Sequence, residues 1–330
     1  MSEVRAKKAL GQHFLVDLNI ARKICDALSG GERPGAGAET RANTAGYAGA
    51  GAEARTMAAG SADAGAETRN GDGAGMAADA RLAADTTAAG APAAAEEERG
   101  GAVPCDVLEV GCGMGVLTQN LLRRGDITTY GAEIDPESVG YLHAHFPEFA
   151  PRLIEGDFLK MNLRERFPRG LKIIGNFPYN ISSQIFFKVL EHRDLVPECV
   201  GMIQKEVAVR IAEPPGSKEY GILSVLLQAW YDIEYLFTVN ETVFNPPPKV
   251  KSAVIRLRRN SVGRLGCDEA LFVKVVKASF GQRRKMIRNS LRAVFGDFGG
   301  AEHPFFTQRA EQLSVADFVQ LTDWVAANRK

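Results

Sequence analysis

Leu171-Lys172-Ile173-Ile174-Gly175-Asn176-Phe177-Pro178-Tyr179-Asn180 reads as the end of a buried strand running straight into an Asn-aromatic-Pro-aromatic turn. An open α/β sheet places its ligands at the carboxyl ends of its strands, which is where this turn would stand. A side-chain amide, a backbone stiffened by proline and a phenol ring meet there. That combination suits the holding of a flat base with an exocyclic amine.

Working outward, strands and helices alternate on both sides of this stretch. Residues 106–110 form a short apolar strand that enters Gly111-Cys112-Gly113-Met114-Gly115, and 116–124 reads as a helix. A second strand is expected over 128–135, a helix from Pro136, and a third strand over 152–157. The opening stretch is the fourth strand. Beyond it come a helix over 181–191, a strand over 198–204 and helices over 205–211 and 220–229. Two late strands, 230–239 and 252–257, are joined by Phe244-Asn245-Pro246-Pro247-Pro248-Lys249-Val250, whose prolines force an extended turn. This alternation predicts an α/β fold with a doubly wound, Rossmann-like sheet. From Asp268 on only helical patterns follow, at 270–280, 284–295 and 315–328, so a small all-helical domain is expected at the C-terminus.

The N-terminal end divides into two unlike parts. Residues 1–31 hold a basic segment and a helix over 17–28 with Asp17 as its N-cap. The Gly11-Gln12-His13-Phe14-Leu15 piece before that helix is too short to fold alone and is expected to lie over a neighbouring site. Residues 32–101 are dominated by Ala, Gly, Thr, Glu and Asp, with Tyr47 the single aromatic. Such a stretch cannot bury enough apolar surface to offset its ordering entropy, and it reads as a disordered insert. The expected units are therefore 1–31, the insert 32–101, a sheet domain 102–259 and a basic helical domain 260–330.

The 330 residues carry 40 Lys+Arg and 40 Asp+Glu, so net charge points to no partner. From Lys249 to the C-terminus, however, 16 Lys/Arg face 7 Asp/Glu, a local excess that reads as a nucleic-acid footprint. The five cysteines are scattered without a CxxC pair, which argues for a reducing compartment and against a zinc site or disulfide frame. No apolar run reaches the ~18–20 residues that span a bilayer. The N-terminus lacks an apolar signal core. A cytoplasmic protein without a membrane partner is expected.

The glycines of Gly111-Cys112-Gly113-Met114-Gly115 let a ligand approach the backbone at a strand-to-helix turn. Glu133, about 20 residues on at the end of the second strand, can take both ribose hydroxyls of an adenosyl group. Asp157, at the end of the third, can accept from an adenine amino group. NAD and S-adenosylmethionine both fit so far, although the spacing is GxGxG rather than GxGxxG. The fourth strand decides in favour of S-adenosylmethionine. An exocyclic adenine amine is a poor nucleophile because its lone pair is delocalised into the ring. Acceptance of its two hydrogens by the Asn176 amide and the Phe177 carbonyl favours a tetrahedral nitrogen aimed at a sulfonium methyl. Tyr179 can stack on the base, worth ~1–3 kcal/mol. No general base is needed first, so catalysis is mostly positioning and electrostatics. Asn176, Phe177, Pro178 and Tyr179 are the catalytic candidates.

Gly175-Asn176-Phe177-Pro178-Tyr179-Asn180-Ile181-Ser182 resembles the Asn-x-Pro-aromatic motif of N6-adenine methyltransferases dependent on S-adenosylmethionine. Six further motifs accompany it. They begin at Leu10 (Leu-Gly-Gln-His-Phe-Leu-Val-Asp), at Leu108 (Leu-Glu-Val-Gly-Cys-Gly-Met-Gly) and at Glu155 (Glu-Gly-Asp-Phe-Leu). The others begin at Gln204 (Gln-Lys-Glu-Val-Ala-Val-Arg), at Tyr220 (Tyr-Gly-Ile-Leu-Ser-Val) and at Val243 (Val-Phe-Asn-Pro-Pro-Pro-Lys-Val-Lys-Ser-Ala-Val). Together they resemble the KsgA/RsmA family of small-subunit (16S) rRNA adenine N6,N6-dimethyltransferases over nearly the whole chain except the insert. The resemblance implies S-adenosylmethionine held at His13, Leu15, Gly111, Gly113, Glu133, Asp157 and Asn176, with no metal. It also implies a monomer that methylates two adjacent adenosines in the 3′-terminal hairpin of 16S rRNA in the 30S subunit, with a role in subunit biogenesis. The commonest family motif has Asn at the position of His13, where imidazole retains a hydrogen-bond donor. Candidate rRNA contacts are Phe244 beside the base and Lys249, Arg256, Arg258, Arg259, Lys274, Lys277, Arg283, Arg284 and Lys285 on phosphates. The alternatives are a 23S rRNA adenine methylase of the antibiotic-resistance type, a non-catalytic small-subunit assembly factor and a dehydrogenase.

Overall fold

A computed structural model describes residues 4–30 and 104–329. The expected disordered insert, 32–101, lies outside the described residues. A short strand β1 (Phe14–Leu15) leads into helix α1 (Leu18–Asp26), whose N-terminal amides at Asn19 and Ile20 donate to the Asp17 carboxylate. The chain then alternates as β2 (Cys105–Val110), α2 (Thr118–Leu121), β3 (Ile127–Glu133), α3 (Pro136–His145), β4 (Leu153–Glu155), α4 (Leu163–Arg166), β5 (Lys172–Asn176) and α5 (Ser182–Glu191). It continues through β6 (Glu198–Gln204), α6 (Lys205–Ala212), α7 (Ile222–Gln228), β7 (Tyr231–Val239), β8 (Phe244–Asn245) and β9 (Ser252–Arg259). Three helices close it: α8 (Glu269–Gly281), α9 (Ile287–Phe295) and α10 (Val315–Asn328).

Seven strands form one sheet in the order β4-β3-β2-β5-β6-β9-β7. The first five run parallel, and β9 is antiparallel to both β6 and β7. Val107, Leu108, Ile173 and Ile174 are fully buried, as expected of parallel strands covered on both faces. The winding reverses between β2 and β5, because β3 and β4 extend the sheet one way and β6 the other. Ligand crevices in such sheets open beyond the carboxyl ends at this reversal, here between Val110 and Asn176. Leu108 and Ile173 share one apolar cluster with Leu226, Phe272, Phe318 and Val325, so the core runs from the sheet through α7 to α8 and α10.

The amino ends of the central strands β5 and β6 are tied down by charge. Lys172 and Glu198, both almost fully buried, form an ion pair at 3.3 Å. The Lys172 ammonium also donates to the Ser29 and Gly30 carbonyls at 3.1 and 2.7 Å. Arg124 donates to the Cys25 and Leu28 carbonyls, so the carbonyl end of α1 is met by cations. Arg256, expected on an rRNA phosphate, belongs to this structural set. Its guanidinium donates to the Ala27 carbonyl at 3.0 Å and pairs with Glu234. Arg259 likewise bonds the Arg193, Trp230 and Val262 carbonyls, and Arg258 pairs with Glu198 and Glu234.

Of the element boundaries that differ from the sequence reading, three matter most here. The third strand ends at Glu155, because Gly156 takes φ +148° and turns the chain. The helix after the glycine turn is regular only over Thr118–Leu121. The last basic run is not helical: α9 begins at Ile287, whose amide bonds the Gln308 carbonyl, and Arg283, Arg284 and Lys285 stand on an exposed turn.

Candidate active site

A pocket lies over the carboxyl ends of β2, β3 and β5 and is roofed by residues 9–14 of the N-terminal segment. Its floor is the glycine turn. Gly111 and Gly113 hold φ of +75° and +53°, and a Cβ on Gly113 would stand 3.2 Å from the Phe14 ring. A side chain would close the pocket at that point, so the backbone is open to a ligand.

Glu133 is 4% exposed. It accepts from the Gly113 amide at 2.8 Å and from the Ile134 and Asp135 amides at 2.9 Å. Burial pushes its carboxyl up, and the three amides oppose the shift. A carboxylate offers about four lone-pair sites. Three are therefore engaged, and these bonds hold the group in the lining of the pocket. Asp157 lies two residues beyond the end of β4 and caps a short 3-10 turn, where one oxygen accepts from the Leu159 amide at 2.9 Å. Its other oxygen makes no hydrogen bond among the described residues, and the side chain lines the pocket. Below them, Glu109 is fully buried and accepts from the Thr118 hydroxyl at 2.6 Å. Burial pushes its carboxyl up to about 8, against the pull of that hydroxyl.

The Asn-aromatic-Pro-aromatic turn closes the other side. The Asn176 Nδ2 donates to the His13 carbonyl at 2.9 Å. A carbonyl can only accept, so this bond fixes the amide flip and leaves Oδ1 as the open acceptor. The Phe177 ring is buried. It lies on a floor of two glycines that are cross-strand partners, Gly175 and Gly201. A Cβ on Gly175 would come within 2.8 Å of the ring, and one on Gly201 within 2.5 Å. The Phe177 amide donates to the Met202 carbonyl at 3.0 Å, so ring and backbone are both fixed. The Tyr179 hydroxyl meets the Ser252 Oγ at 2.5 Å, and its ring lies 5.4 Å from the His13 ring with the planes 31° apart. Burial pushes the phenol up, and the Ser252 bond opposes that shift.

Other expected site residues fall differently. His13 contributes its backbone carbonyl to Asn176, while its Nδ1 lies 2.9 Å from the Pro246 carbonyl and donates there. Leu15 and Phe244 face each other across β1 and β8 and are buried in a second apolar cluster. Neither is among the residues that line the pocket, and Phe244 packs under its roof. Lys249, Arg284 and Lys285 are exposed, and among the described residues none has an ion-pair partner. Arg283 is exposed but donates to the Tyr220 carbonyl at 3.2 Å. Lys274 and Lys277 line a groove between α8 and α9.

Sequence reasoning missed the Gly175–Gly201 pair. The available signal was a glycine inside each of two apolar strands, which marks a close approach of another group. It also missed Lys7, which pairs with Asp135 and lies 3.0 Å from Glu137.

S-adenosylmethionine fits these residues. The glycine turn leaves backbone open, Glu133 and Asp157 present carboxylates to the adenosyl half, and Ile134 and Phe158 supply apolar walls. Among the described residues, no three His, Cys, Asp or Glu side chains gather as a metal site. No helix among them is long and apolar enough to cross a membrane.

Residues 104–327 match the ribosomal RNA adenine dimethylase family. The chain is 47% identical over 324 residues to the ribosomal RNA small subunit methyltransferase A of Parabacteroides distasonis, covering 98% of this chain and 94% of that one. It is 59% identical over 221 residues to the protein of the same name from Bacteroides thetaiotaomicron, covering 66% and 82%. Among solved structures it resembles a dimethyladenosine transferase from Plasmodium falciparum, at 26% identity and a TM-score of 0.57 over 68% of this chain and 90% of that one. A pocket over the carboxyl ends of the parallel strands accords with a family match over the whole sheet and tail: the chain belongs to the ribosomal RNA adenine dimethylase family.

Proposed function

We propose that this protein transfers methyl groups from S-adenosylmethionine to N6 of two adjacent adenosines in the 3′-terminal hairpin of 16S rRNA, two to each, in the 30S subunit. The observation that carries the reading is the Asn176 amide. It is locked by the His13 carbonyl with Oδ1 open, at the carboxyl end of β5 beside the glycine turn.

S-adenosylmethionine, when bound, supplies an electrophilic sulfonium methyl. Everything else falls to the chain. Asn176 Oδ1 and the Phe177 carbonyl accept the two amine hydrogens of the acceptor adenine, which localises the nitrogen lone pair. Tyr179 stacks on the base and is held in place by Ser252. The ring of Phe177 gives up contact with the substrate and serves as the plug that fixes the carbonyl beside it. The acceptor amine is neutral, so its proton leaves after attack and no side chain must remove it first. A hairpin adenosine must leave its stack to reach this pocket, at a cost of a few kcal/mol. Exposed cations meet that cost on the phosphates: Lys249 on the Pro turn, and Lys274, Lys277, Arg284 and Lys285 along α8 and the turn after it. Residues 260–330 act as the rRNA-docking part and 32–101 as an appended insert. The protein works as a monomer in the cytoplasm, where its binding to the 30S particle also serves subunit biogenesis.

The test is methyl transfer from labelled S-adenosylmethionine to undermethylated 30S subunits, with 23S rRNA in parallel. Label in 16S rRNA alone is expected. Label in 23S rRNA alone would transfer the protein to the antibiotic-resistance type of methylase.

A further inference from the structure

Residues 7–14 form a strap with two fixed ends. At one end the Lys7 ammonium pairs with Asp135, whose side chain is fully buried, and with Glu137 at 3.0 Å. Gln12 Nε2 adds a bond to Asp135 at 3.3 Å. The Gln12 Oε1 accepts from the Lys7 amide at 2.8 Å, and the Leu10 amide donates to the Lys7 carbonyl at 3.0 Å, so the turn is closed on itself. Gly11, at φ +63°, then passes so near Asn180 that a Cβ would stand 2.5 Å from its Oδ1. At the other end the His13 carbonyl takes the Asn176 amide. Asp135 follows β3 two residues after Glu133, so the strap runs from the adenosyl half of the pocket to the acceptor half.

We propose that Lys7 is a positioning residue for the acceptor amide: by latching the strap to Asp135 and Glu137 it keeps the His13 carbonyl on Asn176 and so keeps Oδ1 turned toward the adenine amine. The two ends of an amide are nearly isosteric, and only the partner decides which faces the pocket. With the strap lifted, Asn176 is free to turn its NH2 to the amine, which sets donor against donor and removes the pull on the lone pair. The same movement uncovers the cofactor pocket. The latch therefore couples enclosure of the cofactor to readiness of the acceptor site. This rests on the reading of Asn176 as the amide that binds the acceptor.

The test compares wild type, Lys7→Ala and Lys7→Arg in three measurements. Hydrogen exchange of residues 9–14 in the free protein needs neither cofactor nor RNA, and it should accelerate about tenfold in Lys7→Ala, the factor expected for one charge-assisted hydrogen bond. Release of S-adenosylhomocysteine should accelerate by a similar factor. At saturating S-adenosylmethionine and 30S subunits, kcat should fall on the order of tenfold or more, because the acceptor is misplaced. The melting temperature should stay unchanged, and Lys7→Arg should restore all three. Raised salt should speed release in wild type but not in Lys7→Ala, since the pair is partly exposed. Exchange and kcat both within twofold of wild type would overturn the proposal. Faster release with an unchanged saturated kcat would also overturn it, reducing the strap to a cover. If wild type methylated no adenine, the functional reading would fail and the positioning role with it. The exchange result would then still show whether Lys7 latches the strap.

Discussion

Gly201→Ala tests the floor under Phe177. The new Cβ would stand 2.5 Å from Phe177 Cε2, where ordinary contact begins at 3.4 Å, so the ring must retreat by about 1 Å. It has little room. The ring is 1% exposed, it packs edge-on to Phe186 with centroids 5.7 Å apart, and Gly175 already touches its other edge. The strain passes along the backbone to Asn176 and Pro178. Overpacking of this kind costs about 1–3 kcal/mol, which for a folded part of this size lowers Tm by roughly 2–12 °C at ~2–4 °C per kcal/mol. A 1 Å displacement of the acceptor amide costs on the order of 10²-fold in kcat. Binding of S-adenosylmethionine should be largely retained, because Gly111, Glu133 and Asp157 are untouched. The assays are calorimetric melting, titration with S-adenosylmethionine, and single-turnover methyl transfer to undermethylated 30S subunits. Trimming the ring in the double variant Gly201→Ala, Phe177→Leu should recover part of the lost rate. A Gly201→Ala protein with wild-type Tm and kcat would refute the claim that this glycine pair seats the catalytic turn.

Further outcomes follow from the same geometry. Tyr179→Phe should keep most activity, because stacking remains when the Ser252 bond is lost, whereas Tyr179→Ala should lose roughly 5- to 150-fold in kcat/KM, matching ~1–3 kcal/mol of stacking. Burial pushes the Glu109 carboxyl from its ordinary value near 4.5 up to about 8, so folding takes up a proton between those values and stability falls as pH rises through that window. Glu109→Gln should therefore flatten the Tm–pH curve and exceed wild type by a few kcal/mol (~3 at pH 7, an upper bound). The two proteins should converge near pH 4, and parallel curves would count against a neutral Glu109. Lys172→Met leaves Glu198 buried with only the longer Arg258 contact and the Ser29 bonds to offset its charge, and should cost about 3 kcal/mol in chemical denaturation, the low end for a broken buried pair. Methyl transfer measured well below Tm should be retained, since the pair lies at the amino ends of β5 and β6, the far end of the strands from the pocket.

Much of the site was legible in the sequence because local rules govern it. A strand ending in glycines, a strand ending in Glu133 and a strand ending in Asn176 each declare themselves within a few residues. Their convergence follows from the topology of a parallel sheet. What escaped depends on partners far apart in the chain. The meeting of Gly175 with Gly201 requires the register of β5 on β6, and the pairing of Lys7 with Asp135 spans 128 residues. Charge counting reads Arg256 and Arg259 as surface cations, whereas each is turned onto backbone carbonyls of the fold. An aromatic beside a proline turn has two uses, and only the pairing of β8 with β1 shows that Phe244 is core. His13 illustrates the same limit. The sequence draws attention to its imidazole, but the backbone carbonyl reaches the Asn176 amide.

The central claim is that Asn176 activates an rRNA adenine for methyl transfer. Its most direct test is the yield of N6,N6-dimethyladenosine in 16S rRNA after undermethylated 30S subunits are incubated with S-adenosylmethionine and either wild type or Asn176→Ala. The expected result is two adjacent dimethyladenosines with wild type and none over the same period with Asn176→Ala, which should still bind the particle. Dimethyladenosine formed at equal rates by both proteins, or by neither, would contradict it.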